Sequence, residues 1–448
     1  MASLQEKITT SILARIRARR EQNHPGGGRP LAPTAVVPPA KLREVTFADF
    51  HEVAKLKERN GMAADSIENW DRLWRRNPAL LVGDTPRPMG WVLEAKGGVV
   101  GYMGTIPLQC RYGDHRLNAV TSHGFAVDIP YRAVAVSLAA AFYRQKSVDL
   151  FLSTSAIEAS GKIALAFRCS TLPQPDYDTV LFWVLRPYAF AKGLMKKLDV
   201  RPLLAPIGRA LTVLAVRGDK ALRHRKPSHT DATRAVSEAG LDVIGKDFEE
   251  LWTAKSEERA GTPRVFTDRR PAALRWHFAV PGDRGSVRVL CCYKGKRLDG
   301  YAVVRNDVDF ESGLRTSMIA DLIARGDDEE VIQSLWVAAY QYAKRVESDV
   351  LEVQGFPPHI REMGSKWLPY HRKYPAHPYY FKATDPKLHA ELSHGEAWYA
   401  CPFDGDATLI RPSYSNPAVP LNPAGQEELA AQSSLAFPPP ATERTEVC

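Results

Sequence analysis

The chain has 448 residues, of which 44% are hydrophobic and 25% charged, and its net charge is +9. This composition is typical of a globular protein with enough length for two domains. It excludes a transmembrane helix, because no run of about 18 apolar residues occurs, and residues 1–20 lack the apolar core and cleavage site of a secretory signal. The positive charge favours anionic partners, but no basic stripe interleaved with aromatic residues occurs, so we do not expect nucleic acid.

The cysteines and histidines show no metal-binding pattern. The six cysteines lack C-x-x-C spacing, and HAELSH at residues 389–394 has no glutamate beside its first histidine, which the zinc-protease motif requires. We therefore expect reduced thiols, a cytoplasmic location and no metal.

Residues 1–41 read as a basic arm followed by a linker rich in Pro and Gly. Residues 3–20 predict an amphipathic helix with four arginines near its end. Two interpretations stay open: the arm contacts a membrane surface or a partner, or it is a frayed terminus.

Residues 42–187 predict alternating helices and strands. The first hairpin turns at Lys96-Gly97-Gly98, and Asp65 or Ser66 is suited to cap the second helix. The predicted elements are helices at Phe47–Asn60 and Ser66–Arg76, strands at 91–112 (as a hairpin) and Leu117–Asp128, a helix at Ala133–Gln145, a strand at 148–153 and a helix near Ile157–Phe167. This order predicts an α/β fold of the α+β type, whose sheet is mixed and so contains both parallel and antiparallel strands.

Residues 188–245 are basic and apolar, and we expect them to form a helical bridge. Pro202 and Pro206 limit the length of any single helix. For residues 188–226 a segment lying on a membrane surface is the alternative to a bridge packed between domains.

The order of hairpin, strand, helix, strand, helix and strand returns in residues 246–411. Two similar domains in tandem, at 42–187 and 246–411, explain this better than one large sheet. The tail at 412–448 is rich in Pro, Ala and Ser, which predicts disorder.

The stretch VDIPYRAVAVS at residues 127–137 joins a strand to a helix. The start of a helix offers unpaired N–H groups and partial positive charge to an anion. Arg132 adds a charged donor, and the hydroxyl of Ser137 adds another. Small side chains in place of glycine would weaken phosphate binding by this turn without abolishing it. The alternative interpretation is an ordinary connection between a strand and a helix.

The element order and this turn resemble the GCN5-related N-acetyltransferase (GNAT) superfamily, over about residues 42–185. The family's turn commonly reads R-G-x-G-[IV]-G, and its N-E-x-A helix is similar to STSAIEASGKIALAF at residues 153–167. The turn positions are filled here by Arg132, Ala133, Val134, Ala135, Val136 and Ser137. The resemblance implies two tandem acyl-CoA N-acyltransferase-like domains that use acetyl-CoA or another acyl-CoA as co-substrate.

The resemblance also implies roles for individual residues. The turn would hold the pyrophosphate of coenzyme A. The backbone of Phe125, Ala126 and Val127 would pair with the pantetheine arm, where two strands splay apart. Thr154, at the end of the following strand, could reach the coenzyme or the acceptor.

The corresponding turn of the second domain, ARGDDEEVIQSL at residues 324–335, is acidic. Asp327, Asp328, Glu329 and Glu330 suit a helix start but would repel a pyrophosphate. We therefore expect the second domain to bind coenzyme A poorly and to support the fold or the acceptor. Glu352 and Gln354 are weaker candidates for acceptor binding.

Acyl transfer to an amine requires a group that accepts the amine proton. His123 and Glu158 are the candidates, although a half-buried structural histidine and a first-turn helix carboxylate are ordinary alternatives. Ala164 and Leu165 stand about where the family has the tyrosine that protonates the thiolate. Holding the two reactants in the right orientation can by itself lower the reaction barrier by about 7–11 kcal/mol, so the absence of this acid does not exclude catalysis.

The sequence therefore predicts a GNAT-type acyltransferase, in the first instance an N-acetyltransferase, that acts on an amine or hydroxyl of a small-molecule or glycan acceptor. Peripheral membrane contact through residues 3–20 or 188–226 is a further possibility. The alternatives are a non-catalytic coenzyme A-binding scaffold and a FemAB-like transferase that takes an aminoacyl group from charged tRNA. The sequence specifies neither the acceptor nor the acyl length.

Overall fold

The computed structural model describes residues 39–80, 87–198, 200, 204–223, 226–228, 232–258, 263–281, 286–309 and 312–409. The arm helix predicted at 3–20, with its membrane contact, and the predicted tail at 412–448 lie outside these residues. Within them, the α/β fold with mixed sheets that the sequence predicts is confirmed.

Among the residues that the structure describes, fifteen strands form two sheets. They are β1 (Lys41–Glu44), β2 (Gly90–Ala95), β3 (Gly98–Tyr112), β4 (His115–Val127), β5 (Leu150–Ser153), β6 (Ser170–Thr171), β7 (Thr179–Val184), β8 (Val236–Ala239), β9 (Val265–Thr267), β10 (Val287–Lys294), β11 (Arg297–Val308), β12 (Arg315–Ala324), β13 (Val350–Val353), β14 (Tyr370–Lys373) and β15 (Tyr380–Ala383). The described α-helices are α1 (Phe50–Arg59), α2 (Ile67–Trp70), α3 (Val136–Tyr143), α4 (Glu158–Ala166), α5 (Pro187–Lys197), α6 (Ala205–Arg223), α7 (Lys246–Glu257), α8 (Pro271–Phe278), α9 (Glu329–Arg345), α10 (Pro358–Ser365) and α11 (Pro386–Glu391).

The two sheets repeat one strand arrangement. The first runs β1-β2-β3-β4-β5-β15-β6, with β9 added beside β3, and the second runs β8-β10-β11-β12-β13-β7-β14. In each, a meander of antiparallel strands meets one parallel neighbour, β4 with β5 and β12 with β13. This repetition is what the recurring element order predicts.

Each sheet also contains a strand from the other half of the chain. β15 lies between β5 and β6, and β7 lies between β13 and β14. The two sheets are therefore interlocked through exchanged strands. The division of the chain into domains at 42–187 and 246–411 stays a prediction.

Alternation along the strands of the first sheet separates two packed faces. Tyr102 of β3 and Trp70 of α2 belong to the core on one face. Val120 of β4 and Leu138 of α3 belong to the core on the other face. The sheet is thus covered by α1 and α2 on one side and by α3 on the other, and these three helices enclose the candidate site.

The helices α5 (Pro187–Lys197) and α6 (Ala205–Arg223) pack against each other as a hairpin. Gly193 lies where a Cβ atom would meet the side chain of Leu314, and Gly208 lies where one would meet the sulfur of Met195. These glycines let α5 approach the second sheet closely and let α6 pack on α5. In the part of the chain that the structure describes, no helix is both long and apolar enough to cross a bilayer.

Candidate active site

The strands β4 and β5 pair over only three residues and then separate. The parallel register joins Ala119–Thr121 to Leu150–Leu152. β4 runs on to Val127 beside β3, while β5 ends at Ser153. Within the described residues, no further ladder joins the two strands, so a wedge-shaped gap opens along β4 from residue 122. This is the splay that the resemblance implied.

A β-bulge lies at the mouth of this gap. Ala126 pairs with Tyr102 of β3, and His123 pairs with Gly104. Two residues separate His123 from Ala126 but only one separates Tyr102 from Gly104, so β4 carries one extra residue here. Gly124 has a φ of +65°, and a Cβ atom there would come within 2.7 Å of Cε of Lys57. Bulges redirect side chains, and glycine is required at this one because the lysine passes directly over it.

The turn after β4 does not become α-helical where the sequence predicts. Ile129–Val134 form a 3-10 turn, and α3 begins at Val136 instead of Ala133. Arg132, Ala133 and Val136 are exposed, and Ala135 is buried. The Ser137 hydroxyl donates a hydrogen bond to the carbonyl oxygen of Val134 at 2.7 Å, so its proton is already used within the turn.

The start of α3 has no side-chain cap and no acidic residue in its first turn. The nearest carboxylate in sequence, Asp128, accepts hydrogen bonds from Arg59 at 2.8 Å and Asn60 at 2.9 Å. The amide groups at the helix start therefore combine with the exposed Arg132 into a positive turn that suits an anion.

The gap of the second sheet is occupied by protein. β12 and β13 also pair over only three residues, Thr316–Met318 with Val350–Glu352. Beyond them, the amide of Phe356 donates to the carbonyl oxygen of Ala400 at 2.8 Å, and the amide of Phe403 donates to that of Ala320 at 3.0 Å. The segment 400–403 therefore lies between the separated strands.

The turn after β12 is filled by carboxylates of the chain itself. Asp328 accepts hydrogen bonds from the amides of Glu330 and Val331, at 2.9 and 3.1 Å. Glu258 accepts from the amide of Gly326 at 2.6 Å. These are the amide groups that would otherwise receive a phosphate. Their occupation supports the expectation that the second half binds coenzyme A poorly.

His123 lies in a buried cluster with Lys57 of α1 and Asp65. Only 5%, 2% and 5% of their side chains, respectively, are exposed. Nζ of Lys57 is 2.5 Å from Oδ2 of Asp65 and 3.1 Å from Nε2 of His123, and Nε2 is 3.2 Å from Oδ2 of Asp65. Burial alone would raise the pKa of the Asp65 carboxyl, but the charges of His123 and Lys57 outweigh it and hold that pKa well below its usual range.

The sequence does not reveal this cluster, because His123 lies 58 residues from Asp65 and 66 from Lys57 along the chain. The sequence suggests no role for Asp65 beyond that of a helix cap. In the structure Ser66 caps α2 by accepting a hydrogen bond from the amide of Asn69 at 3.2 Å, and Asp65 faces the histidine instead. Lys57 gives no signal beyond that of an ordinary helix lysine.

Two buried hydroxyl groups beside the cluster have no hydrogen-bond partner among the described residues: those of Tyr102 and Thr121. Thr121 is the last paired residue of β4 before the gap. A Cβ atom at Gly104 would overlap the Tyr102 hydroxyl and lie 3.0 Å from the backbone carbonyl oxygen of His123. Burial raises the pKa of Tyr102 well above its ordinary value of 10.0, so this hydroxyl keeps its proton. Unsatisfied buried donors at a gap suggest a ligand that would satisfy them.

The remaining predicted residues have other partners. Glu158 is exposed at the start of α4 and pairs with Lys162 at 2.8 Å. The Thr154 hydroxyl is buried and donates to Oδ1 of Asp406 at 2.7 Å. Glu352 accepts from Arg372 at 2.9 Å, and Gln354 accepts from the Tyr374 hydroxyl at 2.8 Å. Phe125 is half-buried beside the gap, with Ala126 and Val127 buried next to it, so the structure brings these three to the gap together with His123.

No family model matches the chain, and neither does the sequence of any curated protein. Similar solved structures include a GCN5-related N-acetyltransferase from Anabaena variabilis (11% identity, TM-score 0.47, 78% of this chain and 73% of that one) and another from Kribbella flavida (13%, 0.48, 79% and 73%). The N-myristoyltransferase of Saccharomyces cerevisiae with bound myristoyl-CoA is also similar (11%, 0.47, 79% and 82%).

The chain resembles the GCN5-related N-acetyltransferases. Two of these proteins belong to the family that the element order and the turn at Arg132 resemble.

Proposed function

We propose that the protein is an acyl-CoA-dependent acyltransferase that binds the coenzyme in the gap of the first sheet alone. The observation that carries the proposal is the contrast between two equivalent places. Within the described residues, no backbone hydrogen bond joins another segment to the side of β4 that faces the first gap, and that gap ends at an uncapped helix start, whereas the second gap is filled by segment 400–403 and its turn by carboxylates.

The residues of the first gap suit the parts of coenzyme A. The backbone of Phe125–Val127 would pair with the amides of pantetheine. The amides at the start of α3 and the Arg132 guanidinium would bind the pyrophosphate, and a hydrogen bond to a charged group contributes about 1.5–3 kcal/mol. The exposed Val136 and Ala133 would contact the coenzyme without obstructing it.

The buried cluster would serve the proton transfers. The acceptor amine attacks the thioester carbonyl carbon, the new C–N bond forms and the C–S bond breaks. In the tautomer that carries its proton on Nε2 and donates it to Asp65, with Lys57 bonded to Asp65 alone, Nδ1 would take the amine proton, and Asp65 would stabilise the resulting imidazolium. The Tyr102 hydroxyl would donate a proton to the departing thiolate, and the His123 imidazolium would pass the amine proton to Tyr102, so that both groups are restored. Tyr102 would thus replace the acid that is missing at Ala164 and Leu165.

Calorimetric titration with acetyl-CoA tests the binding step. We expect the wild type to bind and Arg132→Glu to bind at least tenfold more weakly, because a phosphate contact is replaced by repulsion. Arg116→Glu is the matched control, since Arg116 is exposed at the far end of β4 and the charge change is the same. Absence of binding in the wild type, or equal weakening in both variants, would contradict the proposal.

Release of free coenzyme A in the presence of an amine panel tests the chemistry. We expect turnover that falls at least about a hundredfold in His123→Asn and Tyr102→Phe, with acetyl-CoA affinity retained. Binding without any turnover would favour the non-catalytic scaffold. Consumption of aminoacyl-tRNA by a protein that does not bind acetyl-CoA would favour the FemAB-like alternative.

A further inference from the structure

The outer face of α6 exposes large apolar side chains in a row. Between 55% and 67% of each residue is exposed to solvent, and the four residues are Leu204, Ile207, Leu211 and Leu214. Their spacing of three, four and three places them on one side of the helix, and we call this row the apolar stripe. Val216, which is buried, lies on the opposite side of the helix. The helix is therefore held by one face and presents an apolar face to solvent.

The two helices that form the hairpin around the apolar stripe carry a strong excess of positive charge. From Pro187 to Arg223 the sequence contains eight Lys and Arg residues but only two Asp residues. On α5 the exposed side chains include Lys192, Lys196 and Lys197. One of the two carboxylates, Asp219, accepts a hydrogen bond from the Tyr370 hydroxyl at 2.7 Å.

A second copy of the chain is a poor occupant of the apolar stripe. Four side chains of this size offer about 240–480 Å² of apolar surface, whereas a stable interface needs about 800 Å² from each partner. Two copies meeting through this face would also bring two sets of lysines together. An anionic partner that accepts apolar side chains avoids both problems.

We propose that the α5–α6 hairpin docks the protein on an anionic lipid membrane. The apolar stripe would enter the boundary between headgroups and acyl chains, as interfacial amphipathic helices do, while the lysines of α5 contact anionic headgroups. Tyr188, which is exposed at the start of α5 and accepts a hydrogen bond from Arg209 at 3.3 Å, suits the headgroup level. This surface is independent of the gap in the first sheet.

Vesicle flotation with the full chain tests the proposal. We expect binding to vesicles of phosphatidylcholine mixed with phosphatidylglycerol, little binding to phosphatidylcholine alone, and loss of binding as ionic strength rises. The triple variant Ile207→Ser, Leu211→Ser, Leu214→Ser should bind the mixed vesicles at least tenfold more weakly. Replacing Lys192, Lys196 and Lys197 by glutamine should weaken binding about fivefold per lysine.

The matched control is a variant in which exposed apolar residues outside the α5–α6 hairpin are replaced. Ile67 and Leu165 are 45% and 51% exposed, and the double variant Ile67→Ser, Leu165→Ser should bind like the wild type. If the triple variant binds as well as the wild type, the contact is made elsewhere, for example by residues 3–20, and the proposal is wrong. It is also wrong if light scattering shows a wild-type dimer that the triple variant dissociates, or if the wild type does not bind the mixed vesicles.

Discussion

At the scale of single residues, the site depends on charges that are buried together. Lys57 and Asp65 are nearly inaccessible to water and lie 2.5 Å apart, so each compensates the desolvation of the other. His123 joins them through Nε2. The histidine is thus held in one orientation by two partners that come from a helix and from the loop before α2.

The buried ion pair makes a direct prediction about stability. Asp65→Asn leaves the Lys57 ammonium buried without its counter-charge, and we expect the free energy of unfolding to fall by about 3–5 kcal/mol. Asp71→Asn breaks an exposed pair with Arg76 and should cost at most about 1 kcal/mol. Urea unfolding of both variants measures the difference; equal losses would show that the Lys57–Asp65 pair is not desolvated.

A second prediction concerns pH. Burial, together with the charges of Arg72 and Arg305, lowers the pKa of His277 well below its ordinary value of 6.5. As the pH falls below about 6.5, the unfolded chain takes up a proton at this histidine while the native protein does not, so the free energy of unfolding falls. His277→Asn should flatten this decline between pH of about 7.5 and 5.5 in urea unfolding. An unchanged slope would mean that His277 is protonated in the native state.

At the scale of elements, the segment from residue 399 to 409 links the two sheets. It fills the second gap through Ala400 and Phe403. It then reaches the end of β5, where Asp406 binds Thr154, and the carbonyl oxygen of Leu409 accepts from Arg72 at 2.6 Å. One short segment thus closes one gap and fixes a border of the other.

The close approach of this segment to β5 can be tested at a glycine. Gly405 has a φ of +125°, and a Cβ atom there would lie 2.1 Å from Oγ1 of Thr154. Gly405→Ala should therefore cost about 2–5 kcal/mol, from backbone strain and overpacking together. Gly295 also has a positive φ, +63°, but no atom within 4 Å of a Cβ there, so Gly295→Ala should cost only about 1 kcal/mol. Chemical denaturation compares the two, and similar costs would contradict the close approach.

At the scale of the whole molecule, the exchanged strands make the two sheets dependent on each other. Without β15, β5 and β6 would lose their common neighbour, and without β7, β13 and β14 would lose theirs. Unpaired strands in the interior of a sheet leave backbone groups unsatisfied. Neither sheet is complete without the other half of the chain.

We therefore expect the protein to unfold in one cooperative step. Tryptophan fluorescence and far-ultraviolet circular dichroism should give coincident urea transitions, since tryptophans lie in the cores of both sheets, for example Trp70 and Trp336. Two separate transitions would show that the sheets are stable independently, and the exchanged strands would then contribute little to stability.

The sequence was informative wherever structure depends on near neighbours. The hairpin at Lys96-Gly97-Gly98 and the cap at Ser66 follow from local turn and capping preferences, and both are present. The sequence predicts a helix start at Ala133, three residues before α3 begins, because a 3-10 turn precedes α3 and the two helix types have similar backbone angles. The sequence also predicts the acidic turn at Asp327 and Asp328, because these charged residues are adjacent in the chain.

By itself, the amino-acid sequence determined the alternation of helices and strands, its repetition, and the contrast between a positive and an acidic turn, because periodicity, capping and local charge act over a few residues. Only the tertiary structure decided which strands exchange between the sheets, that segment 400–403 closes the second gap, and that Lys57 and Asp65 surround His123. These features join residues that are distant in the chain, and their contacts form only when non-local packing offsets the entropy of closing the loops between them.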